Sequence, residues 1–187
     1  MSQQELLRHI VETLESAEIP YMLTGSTVSS LQGQPRSTQD IDVVVDLDPS
    51  KISAINEAFP APQFYVQESA MRDALLAHSM FNILDNEGGD KVDFWVLSAE
   101  PFDQSSFRRR QQEVGAGISM YVSQPEDTIL AKLRWAKLSG GSEKQLGDCI
   151  AVYEVNFPEL DTDYLKRWSL ELGVEELLAR VQREADI

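Results

Sequence analysis

Asp40 and Asp42 are the residues of this chain whose types and spacing most directly imply chemistry. They open the stretch Asp40-Ile41-Asp42-Val43-Val44-Val45, which is β-branched and apolar apart from the two acids and reads as a buried strand. Side chains on a strand alternate between faces, so residues two apart point the same way and the two carboxylates sit close together and repel. A strand in a core avoids such a pair unless something cationic compensates it, because each buried charge costs several kcal/mol. A divalent metal is the obvious compensator. Hard oxygen ligands on a rigid element suit Mg²⁺, which keeps several waters and takes the rest of its shell from substrate phosphates. Asp46 shares the Asp42 face if the strand stays straight, and is otherwise an acid at the loop end.

Gly25 and Ser26 supply a second half to such a site. They follow the apolar run Tyr21-Met22-Leu23 and precede a short helical stretch, with thirteen residues between Ser26 and Asp40. A glycine at a strand-to-helix turn lets backbone approach a ligand, and the N–H groups that open the helix can receive phosphate oxygens. Ser26 also has a plain use as a helix N-cap. Asp93 is a third carboxylate, set in the apolar run Lys91-Val92-Asp93-Phe94-Trp95-Val96-Leu97. An acid inside such a run needs a partner or a metal, unless its strand lies at an edge and the carboxylate faces water. Asp90 replaces it if the register differs by a turn residue.

Gly25-Ser26 followed by Arg36-Ser37-Thr38-Gln39-Asp40-Ile41-Asp42 resembles the nucleotidyltransferase superfamily, whose signature is a Gly-Ser or Gly-Gly turn and an Asp-x-Asp on the next strand. The Arg-x-Thr-x-Asp-Ile-Asp form is similar to the AbiEii-type toxin branch of minimal nucleotidyltransferases. Val92-Asp93-Phe94 matches the third acid of that family. Similarity extends into Ser123-Gln124-Pro125-Glu126-Asp127, Lys132-Leu133 and Gln145-Leu146-Gly147-Asp148, and so spans most of the chain. The resemblance implies catalytic and metal-ligating roles for Asp40, Asp42 and Asp93, with Mg²⁺ as cofactor and an NTP as co-substrate. It assigns nucleotide contacts to Gly25, Ser26, Arg36, Thr38 and Lys132, and counts Asp148 as a family acid. On the residues alone, Lys132 snorkels to the surface and Asp148 forms an ordinary salt bridge with Lys144 at i−4.

The elements that must position these groups can be read in order. Residues 3 to 17 form an amphipathic helix with Leu6, Ile10, Val11 and Leu14 on one side, and the chain enters its first strand at Tyr21. A short helix from Ser26 ends near Gly33. Asp48-Pro49-Ser50 caps a helix to Ala58, and Glu68 to Ala77 has helical spacing. Met80 to Leu84 and Lys91 to Leu97 flank the turn Asn86-Glu87-Gly88-Gly89 as a hairpin, which places Asp93 where it could neighbour the Asp42 strand. Ile118 to Val122 is a last strand after the turn or bulge at Gly115-Ala116-Gly117. Ser123-Gln124-Pro125-Glu126 reads as a capping box. Helices then run at about 125–138, 143–156, 162–172 and 174–184. The expected architecture is therefore an α/β nucleotidyltransferase-like mixed sheet flanked by helices over residues 1–122, followed by an all-helical lobe over residues 123–187.

Composition narrows the classes of function. Of 187 residues, 42% are hydrophobic and 25% charged, an ordinary globular balance that argues against disorder. No signal region or membrane-length apolar run is present, so a cytoplasmic location is expected. The lone Cys149 forbids an internal disulfide and reads as a small core residue; His9 and His78 read as surface or capping groups. The formal net charge of -15 is unusual for a chain whose main partner is nucleic acid, although Arg108, Arg109 and Arg110 form a local basic cluster that reads as a solvated helix face. The function expected from the resemblance is transfer of NMP from an NTP to a hydroxyl of tRNA or protein, in a toxin whose cognate antitoxin is a possible partner. Two alternatives stay open: a small cationic, aminoglycoside-like acceptor, and a binding or regulatory protein that keeps the fold without turnover.

Overall fold

The apolar runs read from the sequence become the strands of one sheet. In the computed structural model, which describes residues 1–35, 38 and 40–187, these are β1 (Tyr21–Thr24), β2 (Asp40–Val45), β3 (Phe64–Tyr65), β4 (Met80–Asp85), β5 (Lys91–Val96), β6 (Gln111–Gly115) and β7 (Ile118–Val122). Their order across the sheet is β3-β4-β5-β2-β1-β7-β6. The sheet is mixed: β2 runs parallel to β5 and β1 parallel to β7, while the other neighbours are antiparallel. The helices are α1 (Gln3–Ser16), α2 (Gly25–Gln32), α3 (Ile52–Ala58), α4 (Glu68–Ala77), α5 (Pro101–Arg109), α6 (Pro125–Leu138), α7 (Glu143–Asn156), α8 (Thr162–Leu172) and α9 (Glu175–Glu184). The stretch from Phe102 to Gln112 divides into α5 and the start of β6. None of the described helices is long and apolar enough to cross a membrane.

The chain groups into two compact units, Met1–Thr24 with Thr38–Val122, and Gly25–Ser37 with Ser123–Ile187. In the first unit, alternation sorts the central strands cleanly. Ile41, Val43 and Val45 of β2 are buried beside Val92, Phe94 and Val96 of β5, their register partners. The opposite face of the same two strands carries Asp40, Asp42, Lys91, Asp93 and Trp95. The β-branched run of β2 suits this pleated, half-buried setting. Phe81 of β4 stacks on Phe94 with ring centroids 4.9 Å apart. Helix α1 starts with a reciprocal Ser2 and Glu5 capping box and buries Leu6, Leu7, Ile10, Val11 and Leu14. His9, expected at the surface or as a cap, instead lies edge-on to Phe59 at 4.8 Å and stacks on Phe64. Arg110 likewise leaves the solvated face expected of it. Its guanidinium lies over the rings of Phe107 and Tyr121, and Nη1 donates to the Phe107 carbonyl at 2.6 Å.

The described regular elements of the second unit are all helices. Helix α2, grouped with the sheet on sequence, packs with α6 and α7 because it is tied to them by buried polar contacts. Gln32 donates to the Ser123 carbonyl at 2.6 Å and accepts from the Thr128 hydroxyl at 2.7 Å, while Asn156 donates to the Gln32 carbonyl at 2.8 Å. The capping box expected at Ser123 does not form; Gln124 is the N-cap of α6, and it makes no side-chain cap bond. Other partners, one local and one distant, have claimed both members of the box. Ser123 bonds the Thr128 hydroxyl at 2.7 Å, and Glu126 accepts from the Asp161 backbone at 2.9 Å. Beside it, the fully buried Asp127 accepts from the Tyr164 hydroxyl at 2.6 Å, which fastens the first turn of α6 to the start of α8. Helix α8 is capped by Asp161, which accepts from Tyr164 N–H, and ends at Gly173, whose φ of 63° suits glycine. Cys149 is buried, as expected of a core residue, and burial pushes its thiol up to about 12.

Candidate active site

The acid-bearing face of β2 and β5 is built by register. Asp42 sits directly beside Asp93 and Asp40 directly beside Lys91 in the parallel ladder. Neighbouring strands lie about 4.8 Å apart and i, i+2 residues, about 6.7 Å apart along the strand, share a face, so these four side chains occupy the corners of a rectangle. Three corners are carboxylates and the fourth is an ammonium. The same rule that pairs Asp40 with Asp42 puts Lys91 beside Asp93, a consequence the sequence contained and the reading of it passed over.

Burial rises across the rectangle. Asp40 is exposed, Asp42 is half-buried and Asp93 is 7% exposed. Lys91 Nζ lies 2.7 Å from Asp93 Oδ2 and 3.7 Å from Asp40 Oδ1. The Asp93 hydrogen bond, aided by the charges of Asp93, Asp40 and Asp42 and opposed by burial, raises the Lys91 ammonium above its ordinary value. Trp95, two residues beyond Asp93 and therefore on the same face, donates its indole N–H to Asp42 Oδ1 at 3.3 Å. Asp93 Oδ1 is buried and has no hydrogen-bond partner. A carboxylate oxygen accepts, so a donor or a cation would satisfy this one.

These donors fit a hard divalent ion in kind, being carboxylate oxygens on rigid strands with one buried oxygen left unengaged. Among the described residues, however, no group of three or more His, Cys, Asp or Glu side chains is gathered closely enough to hold a metal ion. Lys91 stands among the acids and draws two of them to its ammonium. Asp46 and Asp90 lie outside the strands, and Asp46 is exposed with its backbone N–H donating to the Pro20 carbonyl. Thr38 leads into β2, with its hydroxyl donating to the Asp40 carbonyl at 3.3 Å and its own carbonyl accepting from Gln3 at 2.6 Å. Arg36, named with Thr38 as a nucleotide contact, lies outside the described residues.

Gly25 follows Thr24, the β1 residue paired with Asp42. Its φ of 69° belongs to the left-handed region, where a side chain would be strained, so glycine is required at this turn from strand to helix. Helix α2 begins at Gly25, and Ser26 is inside its first turn instead of at the N-cap. Within the helical unit, Lys132 does not snorkel. It is 4% exposed, and its ammonium donates to Asp148 at 2.7 Å and to Gln145 at 3.2 Å. The expected Lys144–Asp148 pair gives way because a buried ammonium needs a carboxylate, whereas the exposed Lys144 is solvated.

No family model and no curated protein matches this sequence. Solved structures do match it in three dimensions. ANT(2")-Ia in complex with adenylyl-2"-tobramycin aligns with a TM-score of 0.63 and 13% identity, over 94% of this chain and 99% of that one. The lincosamide antibiotic adenylyltransferase LnuA, lincomycin-bound, aligns at 0.56 and 15% identity, over 83% and 98%. An antigenic nucleotidyltransferase-like protein from Paracoccidioides brasiliensis aligns at 0.52 and 14% identity, over 98% and 94%. At such identities the likeness is one of fold, and the chain has the mixed-sheet nucleotidyltransferase-like fold with a helical C-terminal region.

Proposed function

We propose that this chain is a metal-dependent nucleotidyltransferase that moves NMP from an NTP to a hydroxyl acceptor. The observation that carries the reading is the register of β2 on β5, which sets Asp42 against Asp93 on the face shared with Asp40 and leaves Asp93 Oδ1 buried and unpartnered. In the transfer, the acceptor oxygen forms a bond to the α-phosphorus as the bond to the bridging oxygen of the β-phosphate breaks, and pyrophosphate leaves. Asp93 takes the proton of the attacking hydroxyl, which requires that hydroxyl within hydrogen-bond reach of the carboxylate. Asp40, Asp42 and Asp93 are the residues that would hold Mg²⁺, and they would have to draw closer together around the ion than they stand here. The ion, when bound, offsets the negative charge that collects on the transferred and departing phosphates. Gly25 and Ser26 offer backbone N–H groups to the β and γ phosphates, and Thr38 steadies the segment that delivers Asp40. The family resemblance also assigns Lys132 to the triphosphate, although its ammonium is taken up by Asp148 and Gln145.

Two acceptor classes remain within this reading. The Arg-x-Thr-x-Asp-Ile-Asp resemblance to AbiEii-type toxins points to a tRNA or protein hydroxyl and to a cognate antitoxin. The net charge of -15 favours a cationic small molecule, since an acidic protein attracts a polyamine and repels a polyphosphate. Incubation of the purified protein with each α-labelled NTP and Mg²⁺, against total RNA, protein substrates and an aminoglycoside panel, tests the function and its acceptor together. Label transferred to any of these acceptors supports the reading. Absence of transfer to all of them leaves a binding or regulatory protein in its place.

A further inference from the structure

We infer that Asn82 on β4 binds the acceptor and helps to decide which hydroxyl receives the nucleotide, an inference that rests on the reading of Asp93 as the group that takes the proton of the attacking hydroxyl.

Register places Asn82 beside the base. In the antiparallel ladder of β4 on β5, Asn82 is the direct partner of Asp93. Asp93 is in turn beside Asp42 on β2, and Asp42 beside Thr24 at the end of β1. Directly opposed residues share a face of the sheet, so Asn82, Asp93, Asp42 and Thr24 form one polar row across four strands. The next row on that face, Met80, Trp95, Val44 and Met22, is hydrophobic throughout. Asparagine is disfavoured within strands, yet this one stands inside β4 between the buried Phe81 and Ile83. Asn82 is exposed, whereas Asp93 beside it is 7% exposed. Directly paired residues have Cβ atoms about 4.5–5.5 Å apart, so a hydroxyl within hydrogen-bond reach of Asp93 brings its neighbouring groups within reach of the Asn82 amide. The row also has a direction. Thr24 leads into Gly25, where the proposed phosphate contacts begin. In phosphoryl transfer the attacking and leaving oxygens lie roughly in line on opposite sides of the phosphorus. With the triphosphate toward the β1 end of the row, the attacking hydroxyl belongs toward the β4 end, where Asp93 is followed by Asn82. The amide offers two donors and an acceptor without a charge, and so suits a second hydroxyl or an amine next to the hydroxyl that attacks.

Initial rates of label transfer by the full chain from α-labelled NTP, with the NTP and the acceptor varied in turn, test the assignment; the acceptor probes are total RNA and an aminoglycoside panel. Asn82→Ala should raise the acceptor KM by about fivefold or more, the worth of a lost hydrogen bond, while the NTP KM stays within about twofold of the parent. A merely structural role would move the two constants together. Should Asn82→Ala not fold, Asn82→Val, a strand-favouring side chain without the amide, takes its place with the same expected split. An unchanged acceptor KM, or a rise shared equally by the NTP KM, overturns the role of Asn82 and leaves the transfer reading standing. If Asp93→Asn keeps most of the parental rate, the acceptor does not meet this row and the inference is overturned as well. If the parent transfers label to none of the probes, the transfer reading itself fails and the inference falls with it.

Discussion

Asp93 has two unlike oxygens, and its chemistry follows from the difference. Oδ2 is satisfied by Lys91, whereas Oδ1 is enclosed and unsatisfied, a state that costs about 1–3 kcal/mol for a neutral group and more for a charged one. A protein retains such an oxygen most readily where something binds to it. Replacing Asp93 with Asn keeps the shape but removes the proposed proton acceptor and one proposed ion ligand. Nucleotide transfer is expected to fall by about 10² to 10⁴ from the loss of the base alone, with nucleotide affinity reduced only modestly. Single-turnover transfer measured beside equilibrium nucleotide binding checks the split. Retention of most of the transfer rate would move the proton acceptor to another acid, with Asp90 first to test.

Two carboxylate-centred contacts, at the β4–β5 turn and between α6 and α7, each have a characteristic response. The β4–β5 turn is organised by Asp85, which is 2% exposed and accepts from Glu87 N–H at 3.0 Å and from the Met1 amino group at 3.1 Å. Burial pushes its carboxyl up, but the Gly88 and Glu87 N–H groups and the amino group outweigh that and hold it below its ordinary value of 3.8. A lowered folded value means that the stabilisation is present above pH 3.8 and is lost as pH falls through the lower folded value. Asp85→Asn should therefore melt below the parent at neutral pH, with the gap closing on acidification under that point; a gap independent of pH would exclude the carboxylate charge as its source. In the helical unit, the Lys132–Asp148 pair joins α6 to α7 with side chains 5% and 11% exposed. Lys132→Met leaves the Asp148 charge without its lysine and should destabilise the chain by about 3–5 kcal/mol in urea unfolding. Adding Asp148→Leu should recover most of that loss. If the double variant is stable yet takes up no nucleotide, Lys132 contributes to nucleotide binding as well as to packing.

At the scale of the whole molecule, ligand linkage and net charge govern behaviour. If, as proposed, Mg²⁺ and an NTP bind the folded chain and not the unfolded one, they should raise the melting temperature, equivalent to about 2.7 kcal/mol at a hundredfold excess over Kd. Asp42→Asn should remove most of this response without unfolding the protein. A full response in that variant would put the ion elsewhere. The charge of -15 makes a further expectation about rate. For a cationic acceptor, kcat/KM should fall as salt rises from low to physiological strength, because electrostatic attraction is screened over about 8–10 Å. A salt-independent kcat/KM would exclude charge steering and weaken the case for a cationic acceptor.

Local pattern sufficed for much of this protein. The alternation of Ile41, Val43 and Val45 determined β2 and its faces, and with them the shared direction of Asp40 and Asp42. Breaks at Gly140-Gly141, Pro158 and Gly173 delimited the C-terminal helices nearly to the residue. Such features depend on the 2.0 and 3.6 periodicities of a single segment, which neighbours do not alter. Which groups meet across the chain was another matter. The parallel placement of β5 on β2 turned Lys91 into the cation among the acids, and packing of α6 on α7 took Asp148 from Lys144 and gave it to Lys132. The capping box at Ser123 lost to Thr128 and Asp161, and α2 grouped with helices a hundred residues away instead of with the sheet. Each of these is a competition among several chemically adequate partners. Only the packed structure, by deciding which of them is within reach and shielded from water, selects one.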